Sequence, residues 1–289
     1  ALACALKSRY SLYAASPLNA TNALDAMTWE EAYQINKEAL ASLRENSYEL
    51  YKTCKNPSEY DVFATKGQVK WKKGSDAAAA MHEYFCSTLS YDANPNDKET
   101  IWQDRGARGD MWFINGIGFQ GYYKCGLTPT QELVDTYRKL DGSVADDTDY
   151  EKRDKRFEAT IAYNNCTVDI PEAKTLSLAG SEGTDKGNYE VFTKASDERQ
   201  TSDKQNRFDS YNGTQDRTAT GYYTLKNYNA DMVDSKGNTY KSLMEIRYAD
   251  VLLMYAESMN EQSKMTSDIW DKTIKPLRER AGFDAAYCS

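Results

Sequence analysis

The sequence contains little histidine and no long hydrophobic run. Among its 289 residues there is one histidine, His82. A catalytic triad needs a histidine base beside a nucleophile and an acid, and no such grouping surrounds His82. A membrane-spanning helix needs about 18 or more consecutive apolar residues, and the mean hydropathy of -0.77 agrees with the lack of such a run. These features argue against a triad enzyme and against a membrane-spanning helix.

Cysteine is also scarce, and its spacing is irregular. The cysteines form no CxxC pair and show no short repeating interval: Cys4, Cys54, Cys86, Cys125, Cys166 and Cys288. This spacing excludes a recognisable zinc motif and a disulfide framework of the kind that small secreted domains use. One or two disulfides and buried free thiols are equally compatible with it.

Positive charge is limited as well. The formal net charge is -8 and the isoelectric point is near 5.0, whereas a nucleic-acid partner requires a basic face. Lysines cluster around Trp71, between Lys66 and Lys73, and we interpret this local exception as a solvated face. We therefore expect no nucleic-acid partner.

Acidic residues crowd one predicted loop, at Asp141, Asp146, Asp147 and Asp149. Oxygen ligands of this kind would suit calcium. Their spacing does not match an EF-hand loop, so we favour a solvated acidic loop. We predict no cofactor, with calcium as the alternative.

The first fifty residues predict two helices. Leu2, Leu6, Tyr10 and Tyr13 recur near one face of the first helix, which stops at Ser16-Pro17. Thr28 followed by Glu31 is a capping-box pattern, and helical spacing continues from there to about residue 46. Two antiparallel helices with a short link are typical of one tetratricopeptide-like unit.

The middle of the chain predicts less regular structure. Aromatic residues mixed with glycines predict a loop over residues 101–126. A short helix is predicted over residues 130–137, with Leu133, Val134 and Tyr137 inward, and strand-like pieces at 159–163, 189–193 and 221–228. An alanine run predicts a helix that includes residues 77–85. Helices are predicted again over residues 243–260 and 265–280, the last ending at Gly282.

Five segments in fixed order carry a family resemblance. They are LTPTQELVDTY (127–137) followed by Asp141-Gly142, YEKRDKRFEATI (150–161), TGYYTLK (220–226), EIRYADVLLMYAE (245–257) and IKPLRERAG (274–282). Together they resemble the SusD/RagB family of outer-membrane nutrient-binding lipoproteins of Bacteroidetes. EIRYADVLLMYAE is similar to the family's signature helix, and the RDKRF segment resembles a strand in which proline is common at the position of Lys155.

The resemblance implies a mostly α-helical fold. A tetratricopeptide-like helical scaffold would carry a large irregular, loop-rich region with a few short strands. We predict a single SusD-like domain over residues 1–289, with a helix pair at 1–50, an irregular region at 51–242 and a C-terminal helix pair at 243–289. Family members are usually longer and the sequence opens already in helical periodicity, so we expect a fragment that lacks N-terminal and C-terminal portions.

The resemblance also implies a function. It implies a non-catalytic cell-surface protein that captures oligosaccharide or polysaccharide and delivers it to a SusC-like TonB-dependent outer-membrane transporter. The membrane would be reached only through a lipid anchor outside this sequence. One alternative is a peptide-binding RagB-like protein of the same architecture, or a pure interaction scaffold. The other is an α-helical glycoside hydrolase.

The candidate ligand residues are aromatic and polar side chains on predicted loops. Sugars lay their apolar C–H faces on aromatic rings, while arginine and amide groups bond their hydroxyls. That mixture occurs around three short segments, and the predicted ligand-binding residues are Trp102, Arg105, Trp112, Asn115, Tyr211 and Asn212. Trp29, Trp270, Tyr248 and Tyr255 lie at apolar helical spacing and are predicted to be core residues.

Overall fold

The computed structural model describes residues 1–19, 26–52, 80–81, 84–85, 97–104, 128–146, 149–164, 166–168, 189–190, 218–226 and 243–289. The helices are α1 (Leu2–Ala15), α2 (Trp29–Glu45), α3 (Gln131–Asp135), α4 (Lys155–Thr160), α5 (Tyr248–Asn260), α6 (Ser267–Lys272), α7 (Ile274–Arg280) and α8 (Ala285–Cys288). The strands are β1 (Thr100–Asp104), β2 (Ile161–Ala162), β3 (Thr167–Val168), β4 (Tyr189–Glu190), β5 (Tyr223–Thr224) and β6 (Leu243–Arg247). The predicted mostly helical fold with a few short strands is confirmed.

The chain divides into two compact units. The helical unit comprises residues 1–51, 95–104 and 243–289, and the inserted unit comprises residues 52–94 and 105–242. The single domain over residues 1–289, with its divisions at residues 50 and 242, stays a prediction. Within the described part of the chain, no helix combines the length and the hydropathy needed to cross a bilayer.

The first two helices begin and end where the sequence predicts. Helix α1 stops at Ser16, whose backbone is extended before Pro17. The capping box of α2 is complete: Thr28 Oγ1 accepts from the Glu31 amide at 3.2 Å, and the Glu31 carboxylate accepts from the Thr28 amide at 2.8 Å. The backbone amides of Thr28 and Glu31 are thereby both hydrogen-bonded to side chains of the same turn.

Helix α1 buries mainly small residues. Of the face predicted from the sequence, Leu2, Tyr10 and Tyr13 are 36%, 64% and 59% exposed. The residues that α1 buries are Ala5, Ser8, Ser11 and Leu12. Small side chains let two helices approach closely, and here Asn36 Nδ2 of α2 donates to Ser11 Oγ at 3.2 Å. The size of the apolar residues therefore does not indicate which face of α1 packs inward.

Helix α5 is the centre of the helical unit. It is buried on most of its circumference, at Tyr248, Ala249, Val251, Leu252, Met254, Tyr255, Ala256, Ser258 and Met259. Leu40 and Leu43 of α2 lie in the same core cluster, and Leu12 of α1 joins them. A helix that is apolar nearly all round is one surrounded by other elements. The prediction that Tyr248 and Tyr255 are core residues is confirmed.

The segment predicted as one helix over residues 243–260 is a strand followed by a helix. Residues Leu243–Arg247 form β6, and α5 begins only at Tyr248. Arg247 is extended, and its backbone amide donates to Asp250 Oδ2 at 2.8 Å. The helical prediction was wrong for the first five residues because pairing with β1 holds them extended.

The helix predicted over residues 265–280 is broken into α6 and α7. Pro276 has no amide hydrogen, so the carbonyl of Lys272, four residues earlier, cannot receive a helical hydrogen bond from it. Arg44 of α2 supplies the missing donor, with its Nη2 at 3.1 Å from that carbonyl oxygen. The final helix end is as predicted, since Gly282 adopts a φ of 82° directly after α7.

Strand β1 replaces the start of the predicted aromatic loop. It pairs antiparallel with β6, with Thr100 opposite Arg247 and Asp104 opposite Leu243. The loop prediction was wrong for residues 101–104, and residues 105–126 lie outside the described residues. The chain therefore leaves the helical unit at Asp104 and returns to it at the neighbouring position, Leu243.

The described core of the inserted unit is aromatic. Phe157 is fully buried and contacts the rings of Tyr137, Tyr150 and Tyr163 at centroid distances of 5.5, 6.0 and 5.3 Å. At its edge, the Tyr137 hydroxyl lies 3.0 Å from Thr160 Oγ1. These rings pack with one another as an ordinary core does.

Two local predictions in the inserted unit were wrong. The segment that resembles a strand forms α4 over Lys155–Thr160, because Asp154 caps it by accepting from the Arg156 amide at 3.1 Å. Only Ile161–Ala162 continues as strand, paired with Tyr223–Thr224. Leu133 is 45% exposed rather than inward, whereas Val134 beside it is fully buried.

Ala80, Met81, Tyr84 and Phe85 are helical, and the rest of the helix predicted to include residues 77–85 lies outside the described residues.

We expect Leu43→Ala to lower the free energy of unfolding by about 2–5 kcal/mol, because Leu43 is fully buried and its truncation leaves a cavity. Urea denaturation monitored by circular dichroism measures the loss. Tyr13→Ala is the control on the exposed face of α1, with an expected change within about 0.5 kcal/mol. A larger effect for Tyr13→Ala than for Leu43→Ala would contradict the packing of α1.

We expect the Cys166 thiol to resist alkylation in the folded protein. Burial raises its pKa to about 12, so almost no thiolate forms near neutral pH. Mass spectrometry after iodoacetamide treatment at pH 8 should show Cys166 labelled only in denaturant, while the half-buried Cys4 is the accessible control.

The same pKa shift predicts a loss of stability at alkaline pH. The unfolded chain releases the thiol proton above about 8.5, while the folded chain retains it until about 12. The stabilisation from Cys166 is therefore complete below the unfolded pKa and lost as pH rises through this range. Cys166→Ala should flatten that part of the stability profile.

Candidate ligand-binding site

Of the predicted ligand residues, the structure describes Trp102. Arg105, Trp112, Asn115, Tyr211 and Asn212 lie outside the described residues, so they stay predictions.

Trp102 is a large exposed aromatic side chain on β1. It is 45% exposed, whereas its neighbour Ile101 packs against the core of the helical unit. The ladder is irregular on both sides of Trp102: Thr100 pairs with Arg247, Trp102 with Ile246, and Gln103 with Met244. One extra residue on β1 is thus followed by one extra residue on β6. Bulges of this kind re-aim side chains within a strand pair.

The bulge on β6 is held from α1. Arg9 Nη2 donates to the Glu245 carbonyl oxygen at 3.1 Å. Glu245 is the extra residue of β6, and its side chain is exposed. The exposed indole thus lies on the same two strands as the Gln103 amide and the exposed Glu245 carboxylate.

A buried ion cluster lies at the start of β1. The side chain of Glu99 is fully buried, and its Oε2 accepts from Arg280 Nη1 of α7 at 2.5 Å. The same oxygen accepts from the Tyr51 amide at 2.7 Å, while Oε1 lies 3.5 Å from Arg247 Nη1. Arg247 also pairs with Asp250 at 3.3 Å. Two carboxylates thus face two guanidinium groups, which balances the charge of the cluster.

This cluster is not evident from the sequence. Its members come from four separate segments, so no spacing connects them. The available signal was an arginine in each of two family motifs, Arg247 in EIRYAD and Arg280 in RERAG. Both motifs carry other charged residues, so neither arginine stands out and its buried partner cannot be read from the motif.

A second buried arginine explains the RDKRF segment. Arg153 is fully buried, and its Nη1 donates to the carbonyl oxygens of Val134 and Tyr137 at 2.7 and 3.0 Å. Its Nη2 donates to the Asp146 carbonyl oxygen at 3.1 Å. The guanidinium therefore closes the C-terminal end of α3, where helix carbonyls lack partners. This arginine supports the fold of the inserted unit.

In the acidic loop, the Asp149 carboxylate forms salt bridges with lysine side chains. Asp149 pairs with Lys139 at 2.8 Å and with Lys152 at 2.6 Å, and these two bonds lower the pKa of Asp149 to about 2. The pKa of Asp141 is lowered by hydrogen bonds from Ser143. Asp147 lies outside the described residues. Within the described ranges, no group of three or more His, Cys, Asp or Glu side chains is placed to hold a metal ion.

The other aromatic residues singled out by the sequence are packed. Trp29 is partly buried against the core of the helical unit. Trp270 donates from Nε1 to the Cys288 carbonyl oxygen at 2.8 Å, and the Arg278 guanidinium lies 4.6 Å from its ring centroid. A tryptophan with its polar edge bonded internally is anchored to the fold. Both residues therefore serve packing, which leaves Trp102 as the exposed tryptophan of the described residues.

We expect Arg153→Lys to destabilise the protein by about 1–3 kcal/mol. A lysine keeps the charge, but its single ammonium cannot reach the three carbonyl oxygens that the guanidinium fork binds. Chemical denaturation measures the change. Arg138→Lys, at an exposed position next to the same helix, is the matched control and should change stability by less than about 0.5 kcal/mol. Equal effects of the two substitutions would contradict this role of Arg153.

One family model matches most of the chain. The model described as the SusD family matches residues 98–287. The match begins just before Glu99 and includes β1, the inserted segment and α5 to α7. No curated protein matches this sequence.

Solved structures share the fold at low sequence identity. The protein BT4246, solved with selenomethionine, is 18% identical with a TM-score of 0.62 over 98% of this chain and 55% of its own. A SusD-like protein (BF3747) from Bacteroides fragilis NCTC 9343 is 19% identical with a TM-score of 0.55 over 89% of this chain and 44% of its own. This chain thus spans about half the length of the solved proteins that it matches.

Proposed function

Because the chain belongs to the SusD family, we propose that it is a non-catalytic binding protein that captures oligosaccharide or polysaccharide. The family match over residues 98–287 carries this proposal. Trp102 supports it, since an exposed indole on a strand offers a flat apolar surface for the C–H face of a sugar ring.

The proposal extends to location and partner. We place the protein on the cell surface at the outer membrane, held by a lipid anchor outside this sequence. It would pass its ligand to a SusC-like TonB-dependent transporter. The family resemblance of the five ordered motifs supports both statements.

The test is a binding screen of this chain against soluble plant, host and microbial polysaccharides and mixed peptides, with product analysis alongside. Affinity electrophoresis and tryptophan fluorescence give the dissociation constant. We expect retention by one glycan class without hydrolysis. Trp102→Ala should weaken binding about 10-fold, which corresponds to about 1.4 kcal/mol. Tyr13→Ala, which removes an equally exposed ring from α1, should leave the dissociation constant unchanged.

The screen separates the alternatives. Binding to peptides alone would replace the glycan proposal by a RagB-like peptide-binding function. Release of products from a polysaccharide would make the protein a glycoside hydrolase. Absence of binding to every ligand would contradict capture by this chain and favour an interaction scaffold.

A further inference from the structure

We propose that Glu99 and Arg280 are positioning residues, which hold β1 so that Trp102 is presented to the ligand. This inference rests on the proposed function for its ligand, but the placement of β1 can be tested without one. Neither residue is exposed, since the side chains of Glu99 and Arg280 are 0% and 7% exposed. They therefore act through the strand rather than by contact with the ligand.

Glu99 is fixed through its backbone as well as its side chain. Its amide and the Thr100 amide both donate to Asp97 Oδ1 at 2.9 Å. Its carbonyl oxygen accepts from the Tyr248 amide at 2.7 Å. Glu99, the residue before β1, is thereby hydrogen-bonded through both its backbone amide and its backbone carbonyl. The direction of the backbone at Glu99 determines the direction of the strand.

The side chain of Glu99 connects β1 to a rigid frame. Arg280 ends α7, Arg247 precedes α5, and Tyr51 follows the helix pair of α1 and α2. Trp102 lies three residues further along, or about 10 Å at the rise of a strand. Over that distance a change in the direction of the strand at Glu99 moves the indole ring.

The ion cluster is better suited to placing the strand than to holding the unit together. The core of the helical unit comes from α1, α2 and α5, whose buried residues are apolar or small. Desolvation offsets much of the attraction within a buried ion pair, so such pairs are weak evidence for stability and are better attested as specificity devices. Beyond the cluster, the described part of β1 is placed by the packing of Ile101 against the core and by a two-stranded ladder with two bulges, which fixes register poorly.

The experiment compares Glu99→Gln with Leu43→Ala, a core variant that lowers stability without touching β1. Hydrogen exchange of the amides of Ile101, Trp102 and Gln103 is measured at a temperature where both variants are folded. We expect exchange at these amides to rise at least 10-fold more in Glu99→Gln than in Leu43→Ala. Arg280→Lys, which keeps the positive charge opposite Glu99, should retain most of the wild-type protection. An equal rise in the two variants, or none, would overturn the placement of β1 by Glu99.

The glycan affinity of the same variants tests the consequence for binding. We expect Glu99→Gln to weaken binding about 10-fold and Leu43→Ala to leave the dissociation constant unchanged. Selective loss of strand protection without loss of affinity would overturn the role in binding. If the wild-type chain bound no glycan, the proposed function would fail, and hydrogen exchange would still decide whether Glu99 places β1.

Discussion

The buried carboxylate of Glu99 is the constraint that fixes how the segments around β1 meet. It is bonded to the segment after α2, to the start of α5 and to the end of α7, so segments far apart in sequence meet at one side chain. A carboxylate without these donors could not remain buried and charged. The position of each donor is therefore coupled to the others, and the family motifs that supply Arg247 and Arg280 are parts of one structural feature.

In the inserted unit the buried charge is positive, on the guanidinium of Arg153. There the buried guanidinium is stabilised by the carbonyl oxygens of Val134, Tyr137 and Asp146. The Val134 and Tyr137 carbonyls lie at the C-terminal end of a five-residue helix that could not be stable alone. In both units a buried arginine thus organises backbone that has little regular structure, while apolar packing supplies the bulk of the burial.

Local features of the sequence predicted the fold well wherever the determining residues are neighbours. The capping box at Thr28, the stop at Pro17 and the left-handed Gly282 each act within one turn. The strand character of residues 243–247 was not predictable from the segment itself, because its partner β1 is separated from it in the sequence by residues 105–242. Outward Tyr10 and Tyr13 were missed for a related reason: Asn36 makes a polar contact that favours Ser11 inside. Of the candidate site, sequence reasoning found the exposed Trp102 but could not find Glu99, whose partners share no spacing.

The two excursions of the chain out of the helical unit have closely anchored ends. Asp104 and Leu243 are partners in the ladder, and the Glu49 amide donates to the Lys98 carbonyl oxygen at 3.0 Å. Insertions or deletions within either excursion need not change the distance between its anchors. Segments of different length or sequence can therefore occupy either excursion during evolution while the helical frame stays the same.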